Sequence, residues 1–165
     1  MIDAEVRALA IRVLDAYRAR QWTLATAESC TGGLVAGALT EIAGSSDVVD
    51  RGFVTYSNEA KAEMLGVPEA TLMEYGAVSR QTAEAMARGT IVRSSVDSAV
   101  AVTGIAGPGG GSPEKPVGLV HFAAAARDGR LIHREKRYGD IGRSEIRRAS
   151  VIEALNLLLE LAAGR

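Results

Sequence analysis

Short apolar segments alternate with amphipathic helical segments from residue 3 to residue 102, and this alternation constrains the fold more than any other feature. The predicted strands are short, rich in β-branched and small residues, and bounded by Gly, Ser or Asn; they are residues 23–28, 52–56 and 99–102. Apolar residues recur at helical spacing between them. Strands joined through helices tend to run parallel in one sheet, with helices covering both of its faces.

A hairpin and a long helix follow this alternation. Residues 117–125 and 131–138 are predicted strands, and Asp128-Gly129 between them is a strong signal for a tight turn. The second of these strands is too polar to be buried on both faces, so we expect it at an edge of the sheet. A last helix begins near Arg143. We therefore predict an α/β protein, a three-layer α/β/α sandwich with a mixed, mainly parallel sheet and a C-terminal antiparallel hairpin, in one domain spanning residues 1–165.

The charge balance and the composition limit the classes of molecule that the chain is expected to bind. The 165 residues include 19 Lys plus Arg against 20 Asp plus Glu, a formal net charge of -1, and 4% aromatic residues. This balance disfavours binding to nucleic acid, whether by charge or by stacking. The amino terminus lacks the pattern of a signal peptide, no apolar run is long enough to cross a bilayer, and the single cysteine cannot form an internal disulfide. We expect a cytoplasmic protein that binds neither membranes nor nucleic acid.

The chain contains two histidines, which are candidate metal ligands. A two-residue turn at Asp128-Gly129 would place His121 opposite Lys136 and His133 opposite Ala124, so that the two imidazoles point to opposite faces of the sheet. With one cysteine and no clustered carboxylates, no zinc or two-metal pattern remains. The sequence predicts a site without metal or cofactor.

Ser29 lies where the first predicted strand ends and a helix begins, and Gly32 and Gly33 follow it closely. Amides in the first turn of a helix have no internal partner, so they could stabilise an oxyanion if Ser29 were a nucleophile. The glycines would let a substrate approach the backbone. The alternative is that Ser29 only caps the helix, which is the common role of serine at such a position.

Lys61 supplies a second reason to consider catalysis. It lies about one turn inside the helix after the second predicted strand, and its side chain leans toward the strand end that Ser29 also borders. A Ser-Lys dyad would need a neutral Lys61 as base. The alternative is a solvated surface lysine. Cys30 is a rival nucleophile, although free cysteines more often serve as core packing.

Residues 103–112 form a glycine-dense stretch after the third predicted strand. Ligands of α/β sheets bind at the carboxyl ends of parallel strands, and clustered glycine amides can wrap a phosphate, to which Lys115 could add charge. The stretch matches neither the P-loop nor the dinucleotide fingerprint. A ligand-binding loop and a merely flexible loop both remain open.

Three arginines, Arg143, Arg147 and Arg148, lie in the first turns of the last helix. Positive charge there opposes the helix dipole. An anionic ligand near Arg143 would account for this arrangement, and so would a salt bridge to Glu145.

Five motifs occur in order: Ala27-Glu28-Ser29-Cys30-Thr31-Gly32-Gly33, Tyr56-Ser57-Asn58 with Lys61, Gly76-Ala77-Val78-Ser79, Thr103-Gly104-Ile105-Ala106-Gly107-Pro108 and Lys115-Pro116-Val117-Gly118. Together they resemble the CinA C-terminal domain family, which is named from competence-damage proteins. The resemblance runs from about Thr23 to the end of the last helix. The chain is similar to the stand-alone form of the family, without the N-terminal molybdopterin-binding-like domain that many relatives carry.

The resemblance implies nicotinamide-nucleotide amidohydrolysis, in which the carboxamide of nicotinamide mononucleotide becomes a carboxylate and ammonia is released. It implies Ser29 as the nucleophile, Lys61 as the base and Tyr56 beside them, with no cofactor. The residues predicted to bind substrate are Cys30, Thr31, Gly32, Gly33, Asn58, Thr103, Gly104, Ile105, Ala106, Gly107 and, toward the phosphate, Arg143.

Two other functions fit the same residues. A serine at a helix cap with a glycine loop would let a non-catalytic module bind or sense a pyridine nucleotide, and the chain could also be a structural partner for a separate domain. The intact Ser29 and Lys61 favour the enzyme. Alanine-rich helices and a polar edge strand leave room for the homo-oligomer that we expect.

Overall fold

The computed structural model describes residues 2–164. Within that range the chain forms six α-helices, one short 3-10 helix at Ser45–Asp47 and five strands. The helices are α1 (Ala4–Arg20), α2 (Leu34–Thr40), α3 (Asn58–Leu65), α4 (Glu69–Tyr75), α5 (Arg80–Val92) and α6 (Arg143–Ala163), and the strands are β1 (Leu24–Glu28), β2 (Val49–Val54), β3 (Ser98–Gly104), β4 (Leu119–Ala126) and β5 (Leu131–Arg137). None of these helices is both long enough and apolar enough to cross a membrane.

The strands form one sheet in the order β2-β1-β3-β4-β5. β1 pairs in parallel with both β2 and β3, whereas β4 is antiparallel to β3 and to β5. Four strands therefore point the same way and β4 alone runs against them. The predicted mixed sheet, its C-terminal hairpin and the edge position of the polar strand β5 are confirmed.

Helices cover both faces of the sheet because its central strands are apolar on both sides. In β3, Val100 and Val102 face a core shared with α1, α2 and α6, while Ala101 faces a second core shared with α3 and α5. This two-residue period is that of a strand buried between two layers. The residues facing α5 are small, including Ala123 and Ala125 of β4, so the helix can pack close to the sheet.

The hairpin differs from its prediction. Ala126 N–H donates to the carbonyl of Arg130 at 2.9 Å, which leaves a three-residue loop rather than a two-residue turn. The register shifts by one residue, so His121 lies opposite Glu135 and His133 opposite Ala123. A one-residue shift turns a side chain to the other face of a sheet. The predicted placement of the two histidines on opposite faces is therefore wrong: His121 Nδ1 lies 2.9 Å from His133 Nε2.

The parallel strands bring three chain segments to one edge of the sheet. β1, β2 and β3 end at Glu28, Val54 and Gly104, so Ser29, the start of α3 and the glycine-dense loop follow at the same edge. β2 begins earlier than predicted, because its polar, exposed start at Asp50-Arg51 carries no apolar signal, and it ends at Val54. The topology therefore brings these three segments together at the carboxyl ends of the parallel strands, where α/β sheets usually bind ligands.

Candidate active site

Ser29 occupies a tight turn between β1 and α2. Its amide donates to the carbonyl of Val102 on β3 at 2.9 Å, and its side chain is buried. α2 begins only at Leu34, with Gly33 at the capping position. The alternative that Ser29 caps this helix is therefore wrong, because the turn contains more residues than the sequence pattern suggested.

Glu28 caps α2 instead, a role that sequence reasoning missed. Its carboxylate accepts hydrogen bonds from the amides of Val35 at 2.8 Å and Ala36 at 3.0 Å, and from the hydroxyls of Thr31 at 2.7 Å and Thr26 at 3.2 Å. The signal in the sequence that could have indicated this role was an acidic residue at the end of a strand predicted to be buried. The first amides of α2 are occupied by this carboxylate, so any oxyanion site must use amides of the Ser29 turn itself.

Lys61 lies on α3, a helix that Ser57 caps by accepting from the amide of Ala60. The residue is 1% exposed, and its Nζ lies 3.0 Å from Ser29 Oγ. The amine also donates to the carbonyls of Thr55 at 2.9 Å and Tyr56 at 3.3 Å. The alternative of a solvated surface lysine is wrong.

Burial has a direct electrostatic consequence for Lys61. Removal from water disfavours the ammonium, so the pKa of Lys61 is lowered from its ordinary value of 10.5. The neutral amine has two N–H groups and one lone pair. The carbonyls of Thr55 and Tyr56 accept the two N–H groups, which leaves the lone pair for the hydroxyl proton of Ser29. The arrangement suits a base acting on a serine.

Cys30 does not have the environment of a reactive thiol. It is 6% exposed, and desolvation raises the pKa of its thiol to about 12. A thiol in that state is protonated near neutral pH and a poor nucleophile. Its side chain instead belongs to the core beneath α2 and α6.

A cleft of about 280 Å³ opens beside Ser29 and Lys61. Its lining combines the serine–lysine pair, the glycine-dense loop and the first residue of α6. These residues are Ser29, Cys30, Tyr56, Lys61, Ala77, Val78, Thr103, Gly104, Ile105, Ala106, Gly107, Gly109, Gly110 and Arg143. Ala77, Val78, Gly109 and Gly110 were not among the predicted site residues, although all four fall within stretches that the sequence had singled out.

Arg143 and Tyr56 form the mouth of this cleft. Arg143 Nη2 donates to the Tyr56 hydroxyl at 3.1 Å, and Nη1 donates to the carbonyl of Gly107 at 2.7 Å. Tyr56 is 60% exposed. The guanidinium therefore links the glycine-dense loop to the segment before α3 and carries a positive charge at the entrance.

The glycine-dense loop is tied to its surroundings. Ile105 N–H donates to the carbonyl of Leu119 at 2.9 Å, and Gly118 N–H donates to the carbonyl of Ile105 at 2.8 Å. The buried Thr103 hydroxyl donates to the carbonyl of Ala77 at 2.8 Å, which holds that residue against the cleft. These bonds favour a shaped loop over a merely flexible one.

Four predicted substrate-binding residues lie outside the cleft lining. Thr31 is fully buried and its hydroxyl donates to Glu28, and neither Gly32 nor Gly33 lines the cleft. Asn58 opens onto a separate groove with Glu59 and Met73. Within residues 2–164, no three potential metal-ligating side chains converge.

The fold and the cleft define a three-layer α/β protein with a buried, hydrogen-bonded serine–lysine pair at the carboxyl edge of its parallel strands. A model of the CinA C-terminal domain matches residues 6–162. The chain belongs to this family.

Relatives and solved structures agree with that assignment. The chain is 52% identical over 159 residues to "Nicotinamide-nucleotide amidohydrolase PncC" of Escherichia coli strain K12, covering 96% of this chain and 95% of the relative. It is 48% identical over 160 residues to the protein of the same name from Enterobacter agglomerans, with 96% of each covered. The crystal structure of the competence/damage inducible protein CihA from Agrobacterium tumefaciens superposes with a TM-score of 0.96 at 61% identity, covering 98% of both chains.

Proposed function

We propose that this chain hydrolyses the carboxamide of nicotinamide mononucleotide, yielding nicotinate mononucleotide and ammonia. The observation that carries the proposal is the 3.0 Å hydrogen bond between Lys61 Nζ and Ser29 Oγ in a buried setting beside an open cleft. The names of the two bacterial relatives, matched over nearly their full length, support the nicotinamide-nucleotide amide as substrate.

The proposed reaction passes through an acyl-enzyme. Neutral Lys61 takes the hydroxyl proton of Ser29 as Oγ bonds to the carboxamide carbon, and the carbonyl π electrons move onto oxygen. When the tetrahedral intermediate collapses, the C–N bond breaks and Lys61 returns the proton to the leaving nitrogen, which departs as ammonia. Water then attacks the ester through the same base, releasing the carboxylate and restoring Ser29. The carbonyls of Thr55 and Tyr56 hold the amine in place throughout.

Substrate contacts follow from the cleft lining. The backbone of the glycine-dense loop, including Gly104 to Gly107, borders the space in which the nucleotide would lie. Arg143 at the mouth offers its charge to the phosphate, and Tyr56 lies beside it. Thr103 acts by holding Ala77 rather than by donating its hydroxyl to substrate. No metal or cofactor takes part in the proposed reaction.

The test is the release of ammonia and nicotinate mononucleotide from nicotinamide mononucleotide, without added metal. Wild type, Ser29→Ala and Cys30→Ala are compared. We expect turnover by wild type and by Cys30→Ala, and loss of turnover in Ser29→Ala while its thermal unfolding midpoint stays near that of wild type. A wild type that is stabilised by the nucleotide but releases no product would instead support the non-catalytic sensor.

Localisation, domain organisation and assembly belong to the same proposal. We propose a cytoplasmic enzyme of one domain over residues 1–165, of which the family model covers 6–162. The exposed edge strands β2 and β5 leave surfaces on which the proposed homo-oligomer could form.

A further inference from the structure

Arg147 contacts the nucleophile turn from α6. Its Nε donates to the carbonyl of Cys30 at 3.1 Å, and its Nη2 lies 3.4 Å from the carbonyl of Thr31. The neighbouring Arg148 points elsewhere and forms ion pairs with Asp3 and Glu5. Within residues 2–164 Arg147 forms no ion pair, so its contacts with the turn are to backbone oxygens only.

The contact with Cys30 determines how a peptide group is oriented. In a planar trans peptide the C=O and the N–H point in opposite directions. Because the Cys30 carbonyl is held by Arg147, the Thr31 N–H in the same peptide plane points away from the guanidinium. In the preceding peptide group, the Ser29 carbonyl accepts from Gly32 N–H at 3.0 Å. The Cys30 N–H of that peptide group therefore points away from Gly32.

Of these two amides, that of Cys30 belongs to a residue that lines the cleft, whereas Thr31 lies outside the cleft lining. Over the described range, residues 2 to 164, neither Cys30 N–H nor Thr31 N–H donates to a backbone or side-chain oxygen, although both residues are buried. A buried N–H without an acceptor is costly and rare in folded proteins. The amide of the residue after a nucleophilic serine is a common oxyanion donor, and Cys30 borders the cleft beside Ser29.

We infer that Arg147 is a positioning residue for the oxyanion: through the Cys30 carbonyl it holds the Ser29–Thr31 turn so that the Cys30 amide, beside Ser29 in the cleft lining, faces the charge that develops on the substrate oxygen. This inference rests on the proposed amidohydrolysis. The positive charge of the Arg147 guanidinium also acts on this turn. It lowers the pKa of the Cys30 thiol, although burial raises that pKa more strongly. A charge that stabilises an anion on the sulfur of Cys30 stabilises an oxyanion next to Ser29 by the same physics.

The experiment compares Arg147→Gln and Arg147→Lys with the matched control Arg148→Gln, using kcat and KM for nicotinamide mononucleotide and the thermal midpoint. Loss of an oxyanion donor lowers kcat by about 10²- to 10³-fold. We expect a fall of about 10²-fold in kcat for Arg147→Gln with KM within about twofold of wild type. Arg147→Lys keeps the charge but lacks the planar guanidinium that donates to two carbonyls at once. Its kcat should therefore lie between those of Arg147→Gln and wild type. Arg148→Gln should keep wild-type kcat.

A second readout separates this inference from the identity of the substrate. The rate at which a fluorophosphonate probe labels Ser29 depends on the same oxyanion site whichever amide is the natural substrate. Slower labelling in Arg147→Gln, even if wild type does not hydrolyse the nucleotide, would support the inference while the proposed function fails. Wild-type kcat and labelling in Arg147→Gln would overturn it, as would an equal loss in Arg148→Gln. Unfolding of both Arg147 variants would assign the residue to the fold and overturn it as well.

Discussion

The proposed roles of Ser29 and Lys61 depend on burial and on the atoms that surround the two side chains. An exposed lysine would be an ammonium near neutral pH, with no lone pair for a serine proton. Lys61 is 1% exposed and has two carbonyls as acceptors, so the structure both lowers its pKa and directs its lone pair. Cys30, the next residue after Ser29, is held as a neutral thiol by the same burial. The environment therefore distinguishes two adjacent nucleophile candidates.

The pH dependence of turnover should report the neutral fraction of Lys61. Because burial places the pKa of Lys61 below 10.5, kcat/KM should rise with pH along a limb whose midpoint lies below that value, and then level off. Lys61→Met should lower kcat by about 10³-fold, the order expected for a general base, and should remove the limb from any residual activity. Lys136→Met, which alters a lysine on β5 near Glu153, is the control and should keep both. A residual activity that retains the limb would show that another group is the base.

At the scale of elements, the site depends on how α3 is held, since α3 carries Lys61. α3 packs on α5 at Gly89, where an added Cβ would lie 2.0 Å from the carbonyl oxygen of Leu65. That oxygen belongs to the backbone and cannot rotate aside, so the two helices approach this closely only because the position is glycine. On the opposite side of the sheet, Glu28 connects β1 to the first turn of α2. The first contact positions the helix that carries Lys61, and the second fixes the residue that precedes Ser29 against α2.

Gly89→Ala should destabilise the fold, because α3 and α5 must separate to admit the methyl group. We expect a loss of about 1–3 kcal/mol in the free energy of unfolding, measured by urea denaturation, together with reduced turnover. Gly37→Ala is the matched control, since a Cβ at this position of α2 meets nothing within 4 Å. It should be neutral or stabilising by roughly 0.5–1 kcal/mol, because alanine favours a helix. Similar losses in both variants would contradict the close-approach argument.

Across the whole molecule, the sheet places the two histidines together away from the cleft. Nδ1 of His121 on β4 lies 2.9 Å from Nε2 of His133 on β5. A carboxylate oxygen of Glu135 lies 3.6 Å from Nε2 of His121. Desolvation, aided by His133, lowers the pKa of His121 to about 4, against an ordinary value of 6.5; Glu135 acts in the opposite direction. Lys115 and Arg137 also act to lower it. The folded protein therefore favours the neutral pair.

Acid should destabilise the protein through this pair. Since the pKa of His121 is lower in the folded state than in the unfolded chain, the unfolded state binds more protons as pH falls below 6.5, and stability is lost progressively down to about pH 4. The loss from His121 is at most about 3 kcal/mol. Urea denaturation from pH 7 to pH 4 should show it in wild type, and the double variant His121→Gln with His133→Gln should have a flatter profile. Parallel profiles would contradict the assignment.

The amino-acid sequence by itself determined the order of strands and helices, the mixed sheet with its polar edge strand, and the convergence of Ser29, Lys61 and the glycine-dense loop at one edge. These follow from hydrophobic periodicity and from the parallel pairing of strands joined by helices, which are local or topological rules. Only the tertiary structure decided the rest. The burial of Lys61 against Ser29 and the hydrogen bonds of Arg147 with the nucleophile turn depend on atoms far apart in the chain. The capping of α2 by Glu28 and the register of the histidines depend on how a turn and a hairpin loop fold. Desolvation and hydrogen-bond geometry are set by three-dimensional packing, and a one-residue difference in a loop is enough to turn a side chain to the other face of the sheet.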